Sequence, residues 1–149
     1  MTPNQKLSES LAVLATIDPS SQAASTVTTG WVDAKNFAAL LALIDVGAFG
    51  ASATVDAKLQ QATDGTGTGV KDITGKAITQ LVAAGGNNRQ VEINCRSDEL
   101  DVTNSFEFVR LSLTVGTAAT LTSAVLFGGH PRYSDAGGLY NQAGVAQVV

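Results

Sequence analysis

The side chains that could support catalysis are few and lie far apart. The chain has one histidine, His130, followed directly by Pro131 at the end of an apolar stretch. A hydrolytic triad needs a histidine beside a serine or cysteine nucleophile and a carboxylate. The strained Gly-x-Ser-x-Gly turn that presents many serine nucleophiles does not occur in the sequence. We therefore expect a protein that is not an enzyme, with no catalytic residues.

The single cysteine, Cys95, lies in an alternating run, Val91 to Arg96, on the same face as Val91 and Ile93. One cysteine excludes an intramolecular disulfide and a cysteine-based zinc site. An apolar face predicts a buried, inert thiol.

Two other segments resemble binding loops without matching them. Gly65 to Gly69 is rich in glycine, but a phosphate loop needs Gly-Lys-Ser/Thr and a following helix. We read it as a mobile hairpin loop. Asp98, Glu99 and Asp101 cluster as calcium ligands do, but without EF-hand spacing, and we expect a solvated turn. The sequence thus predicts no metal and no cofactor.

Composition narrows the classes of partner. The formal net charge is −4, and the nine Lys and Arg residues are scattered. Phosphate neutralisation needs a basic stripe, so nucleic acid is not expected. No apolar run reaches 18 residues and no signal peptide is recognisable, so we expect no membrane contact and synthesis in the cytoplasm. Charged residues make up 15%, against about 25% typically, which suits contact with other subunits.

Three regions are predicted along the chain: an N-terminal arm (1–26), a β-sandwich domain (27–133) and a glycine-rich C-terminal tail (134–149). Leu7 to Ile17 is apolar and reads as an extended arm or a first strand of the chain's own sheet, before the turn signal at Asp18-Pro19.

The segment Ala34 to Leu43 is ambiguous. Asp33 could cap a helix there, since Ala and Leu dominate. Against a helix, the apolar run Phe37 to Val46 has no polar face, which suits a strand buried on both faces. We favour the strand.

Clear alternation follows. Val55, Ala57 and Leu59 share one face, and Phe106 to Val115 is the strongest strand, with Ala119 to Phe127 as its expected hairpin partner. Short strands separated by turn signals predict an all-β fold, an antiparallel β-sandwich or jelly roll.

The segments Ala53 to Asp64, Gly75 to Leu81 and Val102 to Leu111 resemble small virion proteins of tailed bacteriophages and prophages. The resemblance implies a decoration (cement) or minor capsid protein that binds and stabilises the phage head. Its partners would be the major capsid protein and further copies of itself, with a trimer expected because such proteins often sit at three-fold positions. It would reside in the virion after assembly in the host cytoplasm.

Two other functions stay open: a tail or head–tail connector component, and a carbohydrate-binding jelly-roll module for host attachment. Sugar binding usually needs aromatic side chains in exposed loops, and Trp31, in a strand-like run, is the only tryptophan. Interface regions are predicted at the arm, at the loop Asp64 to Gly69 and in the tail after Arg132. The candidate interface residues are Leu7, Leu11, Leu14, Ile17, Arg132 and Tyr133.

Overall fold

The computed structural model describes residues 4–133 and 140–149. Within these residues the chain forms ten β-strands and two one-turn helices, α1 (Leu7–Ser10) and α2 (Ala83–Gly86). The strands are β1 (Leu11–Gln22), β2 (Ser25–Thr28), β3 (Val32–Asp33), β4 (Phe37–Val46), β5 (Thr54–Ala62), β6 (Lys71–Ala77), β7 (Leu81–Val82), β8 (Arg89–Arg96), β9 (Phe108–Gly116) and β10 (Thr120–Pro131).

Two antiparallel sheets pack against each other. The four-stranded sheet has the order β1-β10-β4-β8, and the six-stranded sheet has the order β2-β9-β5-β6. Strand β3 continues β2 along β9, and β7 continues β6 along β5, so the two short strands add no new sheet position. The two sheets of four strand positions each form a jelly roll, and the predicted all-β class is confirmed.

The core lies between the sheets and follows the alternation of the strands. Val109, Leu111, Leu113 and Val115 of β9 face inward and are at most 2% exposed, as the sequence predicts. On β5, alternate residues from Val55 to Leu59 are likewise buried. Because successive side chains point to opposite faces, each strand contributes one row to the core.

The ambiguous segment is a strand. A 3₁₀ turn covers Ala34–Asn36, where the Asp33 carboxylate accepts a hydrogen bond from the Lys35 backbone N–H at 3.1 Å, and β4 begins at Phe37. The expectation that β4 is buried on both faces is wrong: Leu40, Ala42 and Ile44 are buried, whereas the residues between them keep part of their surface exposed.

The expected hairpin between the two C-terminal strands is also wrong. β9 pairs with β2, β3 and β5, whereas β10 pairs with β1 and β4 in the other sheet. The turn between them, where Thr117 has φ +71°, therefore crosses from one sheet to the other. Strand periodicity predicts which side chains share a face, but not which sheet the strand joins.

Both ends of the described chain join the sandwich. Ala12, Ala15 and Ile17 of β1 enter the core, so the segment predicted as an arm or first strand is an edge strand of the chain's own sheet. The tail residues 134–139 lie outside the described residues. Tyr140 packs edge-on against Phe37 with ring centroids 5.1 Å apart. Across the described residues, no helix has the length and apolarity needed to cross a membrane.

Candidate interaction surfaces

The candidate residues of the N-terminal segment divide between surface and core. Leu7 in α1 is 63% exposed, and Leu11, at the start of β1, is half-buried. Ile17 is buried, and Leu14 packs against the core at a bulge of β1. Ile17 therefore stabilises the chain's own fold and offers no contact surface in the folded protein, whereas Leu14 is half-buried and packs part of its side chain against the core.

The edge of β1 is partly closed by the tail. The Val13 backbone N–H donates to the Asn141 carboxamide oxygen at 2.8 Å, and the Val13 carbonyl accepts from the Gln142 backbone N–H at 2.8 Å. Unpaired strand edges invite association with other chains. These two bonds satisfy the outward backbone groups of Val13, so at this point the tail covers the edge.

The remaining two candidates, Arg132 and Tyr133, lie together at one end of the sandwich. The Arg132 guanidinium donates to the Ser97 hydroxyl at 2.7 Å, and Tyr133 is 77% exposed. Both line a cleft of about 400 Å³ whose floor includes Leu100 and Phe106. This cleft is separate from the outer faces of the two sheets.

The outer face of the six-stranded sheet is polar, and its side chains bind one another. Arg110 Nε donates to Gln60 Oε1 at 3.0 Å, and Gln60 Nε2 donates to Asp72 Oδ1 at 2.9 Å. Lys58 Nζ lies 2.8 Å from the other oxygen of Asp72. Hydrogen bonds from Lys58 and then Gln60 lower the pKa of the Asp72 carboxyl. The hydrogen-bond partner of Arg110 across the sheet is thus an amide, that of Gln60.

Trp31 stands at the side of this network. The Arg110 guanidinium carbon lies 4.5 Å from the centre of the Trp31 ring, a cation–π contact. The loop between β5 and β6 also approaches the indole closely, because a Cβ on Gly67 would lie 2.8 Å from Trp31 Nε1. The half-buried Trp31 ring thus makes contacts within the protein, to Arg110 and the loop at Gly67, which is unfavourable for a role as a sugar-binding platform.

The glycine-rich loop is the hairpin predicted between two antiparallel strands, β5 and β6. Asp64 organises its turn: one carboxylate oxygen accepts from the backbone N–H groups of Thr66 and Thr68 and from the Thr66 hydroxyl, at 2.7–3.0 Å. Hydrogen bonds from Thr68 and then Thr66 hold the pKa of Asp64 well below its usual range. The carboxylate therefore acts as the internal scaffold of the loop.

The acidic cluster is divided among three cations. Lys76 lies 3.0 Å from Glu99, Arg96 Nε lies 3.1 Å from Asp98, and Lys71 is bonded to Asp101. Over residues 4–133 and 140–149, no group of three potential ligand side chains could hold a metal ion.

The cysteine lies where the sequence placed it. Cys95 is 1% exposed in β8, and its thiol contacts the Arg96 carbonyl oxygen at 3.5 Å. Burial, and then the negative charge of Glu99, raise the pKa of the thiol to about 11. The prediction of a buried core thiol is confirmed.

The outer face of the four-stranded sheet differs from the other in chemistry. In one row across the sheet, Leu41 of β4 is the partner of Phe127 of β10, which in turn is the partner of Val13 of β1. In the neighbouring row, Leu43 is the partner of Val125. We call these five half-buried residues, Val13, Leu41, Leu43, Val125 and Phe127, the apolar face. Sequence analysis missed it, although the unbroken apolar run Phe37 to Ile44 was the available signal.

No protein-family model matches this sequence, and no curated protein sequence matches it significantly. Among solved structures, a chain from infectious bursal disease virus, Gx strain, is similar with a TM-score of 0.54 at 8% identity, over 85% of this chain and 33% of that chain. A CBM4 structure gives a TM-score of 0.42 at 13% identity, covering 69% of this chain and 61% of the other. A chain of the Triatoma virus empty capsid gives 0.43 at 11% identity, covering 87% and 96%.

These likenesses concern the fold. At 8% identity, the similarity to the infectious bursal disease virus chain shows a shared jelly-roll architecture, and the present chain spans about a third of that protein's length.

Proposed function

We propose that this chain is a virion structural protein: a decoration or minor capsid protein that binds the head shell of a tailed bacteriophage and stabilises it. Its action is binding without catalysis. The partners are the major capsid protein and further copies of this chain. The virion head is its location, after assembly in the bacterial cytoplasm.

The observation that carries the proposal is the fold similarity to the infectious bursal disease virus chain over 85% of this sequence. The resemblance of Ala53 to Asp64 and of the neighbouring segments to phage virion proteins supports the same role. A decoration protein acts by burying surface across the junctions of a shell, so it needs rigid, contact-ready faces rather than a reactive cleft. The two sheets supply such faces.

Electron microscopy of purified virions tests the location. An antibody raised against the full chain and coupled to gold should label the shell over its whole surface, at many sites per particle. Virions from a host in which this gene is deleted provide the control for nonspecific labelling. Gold confined to a single vertex or to the tail would contradict the head proposal and favour a tail or connector component.

Shell stabilisation is tested separately. Virions that lack the protein should lose DNA at a lower temperature than complete virions, because fewer contacts oppose the pressure of the packaged DNA. Adding the purified chain back should restore the release temperature. Equal release temperatures with and without the protein would contradict a stabilising role.

A further inference from the structure

Strand β4 carries apolar side chains on both of its faces, and the fold covers only one. Leu40, Ala42 and Ile44 are at most 2% exposed in the core. Leu41 and Leu43 point to the opposite side, because side chains alternate along a strand. A continuous apolar run is typical of a strand covered on both sides. Within the described residues, the core covers only the face formed by Leu40, Ala42 and Ile44.

The surrounding strands extend this outward surface. Val125 and Phe127 of β10 lie directly beside Leu43 and Leu41, and Val13 of β1 completes the second row. None of these side chains is among the partly buried residues that pack against the core cluster. Soluble monomers rarely expose large contiguous apolar patches, and such patches commonly mark interaction sites.

The size of the sheet face sets what can cover it. Four strands spaced about 4.8 Å apart, over eight residues that each rise about 3.3 Å, present roughly 500 Å². Two such faces packed together would bury about 1,000 Å², the lower limit for a specific protein interface. The whole sheet face, with the half-buried apolar face at its centre, is therefore large enough for a copy of itself, in an association of modest strength.

The polar rim of this face carries both positive and negative charges. The outward residues of the edge strand β8 are Gln90, Glu92, Asn94 and Arg96, all exposed. Arg96 lies beside one end of β4, opposite Ala39, whereas Glu92 lies towards the other end, where Asp45 is found. Arg96 Nε already lies 3.1 Å from Asp98 of its own chain. A two-fold axis crossing the strands would bring this Arg96–Asp98 pair of each copy towards Glu92 and Asp45 of its partner. Apolar centres with charged rims are the usual anatomy of protein interfaces.

We propose that the apolar face is a homodimer interface, in which the four-stranded sheets of two copies pack face to face about a two-fold axis. A flat face that binds itself forms a closed pair, so the expected state is a dimer rather than the trimer implied by the sequence resemblance. The inference deepens the proposed assembly role by naming the surface for self-association. The purified chain alone tests it, so its failure is distinguishable from failure of the virion labelling.

The test is sedimentation equilibrium of the full chain from micromolar concentrations to about 1 mM, a range that covers weak interfaces. The wild type should approach twice the 15.2 kDa chain mass. Phe127→Lys places a charge at the centre of the apolar face and should weaken the dimer by about 30-fold or more. Thr114→Lys, on the outer face of the six-stranded sheet, is the matched control and should leave the mass unchanged.

A milder variant, Val125→Thr, covers the case in which Phe127→Lys does not fold, and it should weaken the dimer about tenfold. Circular dichroism and urea unfolding establish that each variant is folded. A wild-type monomer at the highest concentration would overturn the proposal. So would a mass of three chains, or equal dissociation in the Val125 and Thr114 variants.

Discussion

Adjacent glycines in β10 provide a sharp test of how tightly the sandwich is packed. A Cβ on Gly128 would lie 2.8 Å from Leu14 Cδ1 and 2.8 Å from two ring atoms of Phe37. A Cβ on Gly129 would meet only ordinary contacts, at 3.8–3.9 Å. Neither glycine has a positive φ, so the difference between the two sites is steric.

The two alanine variants should therefore have opposite effects on the free energy of unfolding. Overpacking a filled core costs about 1–3 kcal/mol, and Phe37 cannot move aside because it is 1% exposed. Gly129→Ala should be stabilising by about 0.4–1 kcal/mol, because alanine restricts the unfolded chain. Taken together, Gly128→Ala should be less stable than Gly129→Ala by roughly 1.5–4 kcal/mol.

Urea unfolding followed by circular dichroism measures the difference. Gly128→Ala should lower the urea midpoint while the slope of free energy against urea stays constant, because the native and unfolded states expose similar surface. Gly128→Ala should lower the urea midpoint less in a Leu14→Ala background than in the wild type, because Leu14 is one of the two side chains that the added Cβ would displace. Equal midpoints for the two single variants would refute the packing described here.

Three further predictions concern a loop, a thiol and the core. Asp64→Ala should lower the urea midpoint at neutral pH, and its difference from wild type should shrink below about pH 4. The pKa of Asp64 is lower in the folded protein than in the unfolded chain. The stabilisation from this carboxylate is therefore present above the unfolded pKa and is lost as pH falls. A difference that stays constant down to pH 2 would contradict the scaffold role of this carboxylate. Cys95 should resist thiol reagents at pH 8 in the native protein and react at once in urea, since its pKa of about 11 keeps it protonated; rapid native reaction would show that the site opens. Leu126→Ala should cost about 2–5 kcal/mol of unfolding free energy, whereas Val102→Ala, at a 60% exposed residue, should change it by less than about 0.5 kcal/mol, and equal losses would contradict the assigned core.

Local alternation of apolar residues in the sequence predicted much of the architecture. The alternation of Val109, Leu111, Leu113 and Val115 correctly identified a buried row of β9, and the same reasoning placed Cys95 in the core. These predictions succeeded because the period of a strand is a property of the backbone and requires no knowledge of its neighbours. Even so, the hairpin partner of β9 was misassigned, since β10 enters the opposite sheet.

The candidate interface was predicted less well than the fold. Leu14 and Ile17 are apolar in an otherwise plausible arm, but Ile17 lies in the chain's own core and Leu14 packs against it. Sequence alone cannot distinguish an apolar segment that binds another subunit from one that forms an edge strand of its own sheet, because both bury the same kind of side chain. The apolar face emerged only when both sides of β4 were assigned.

By itself, then, the sequence determined an all-β chain with alternating strands, a buried thiol and a run from Phe37 to Ile44 that is apolar on both sides. Tertiary structure decided which strands are neighbours and therefore which apolar rows meet the core. The physical reason is that a strand's two faces are set by its own backbone, whereas its cover depends on strand pairing across long sequence separations. That pairing leaves Leu41 and Phe127 on the outside.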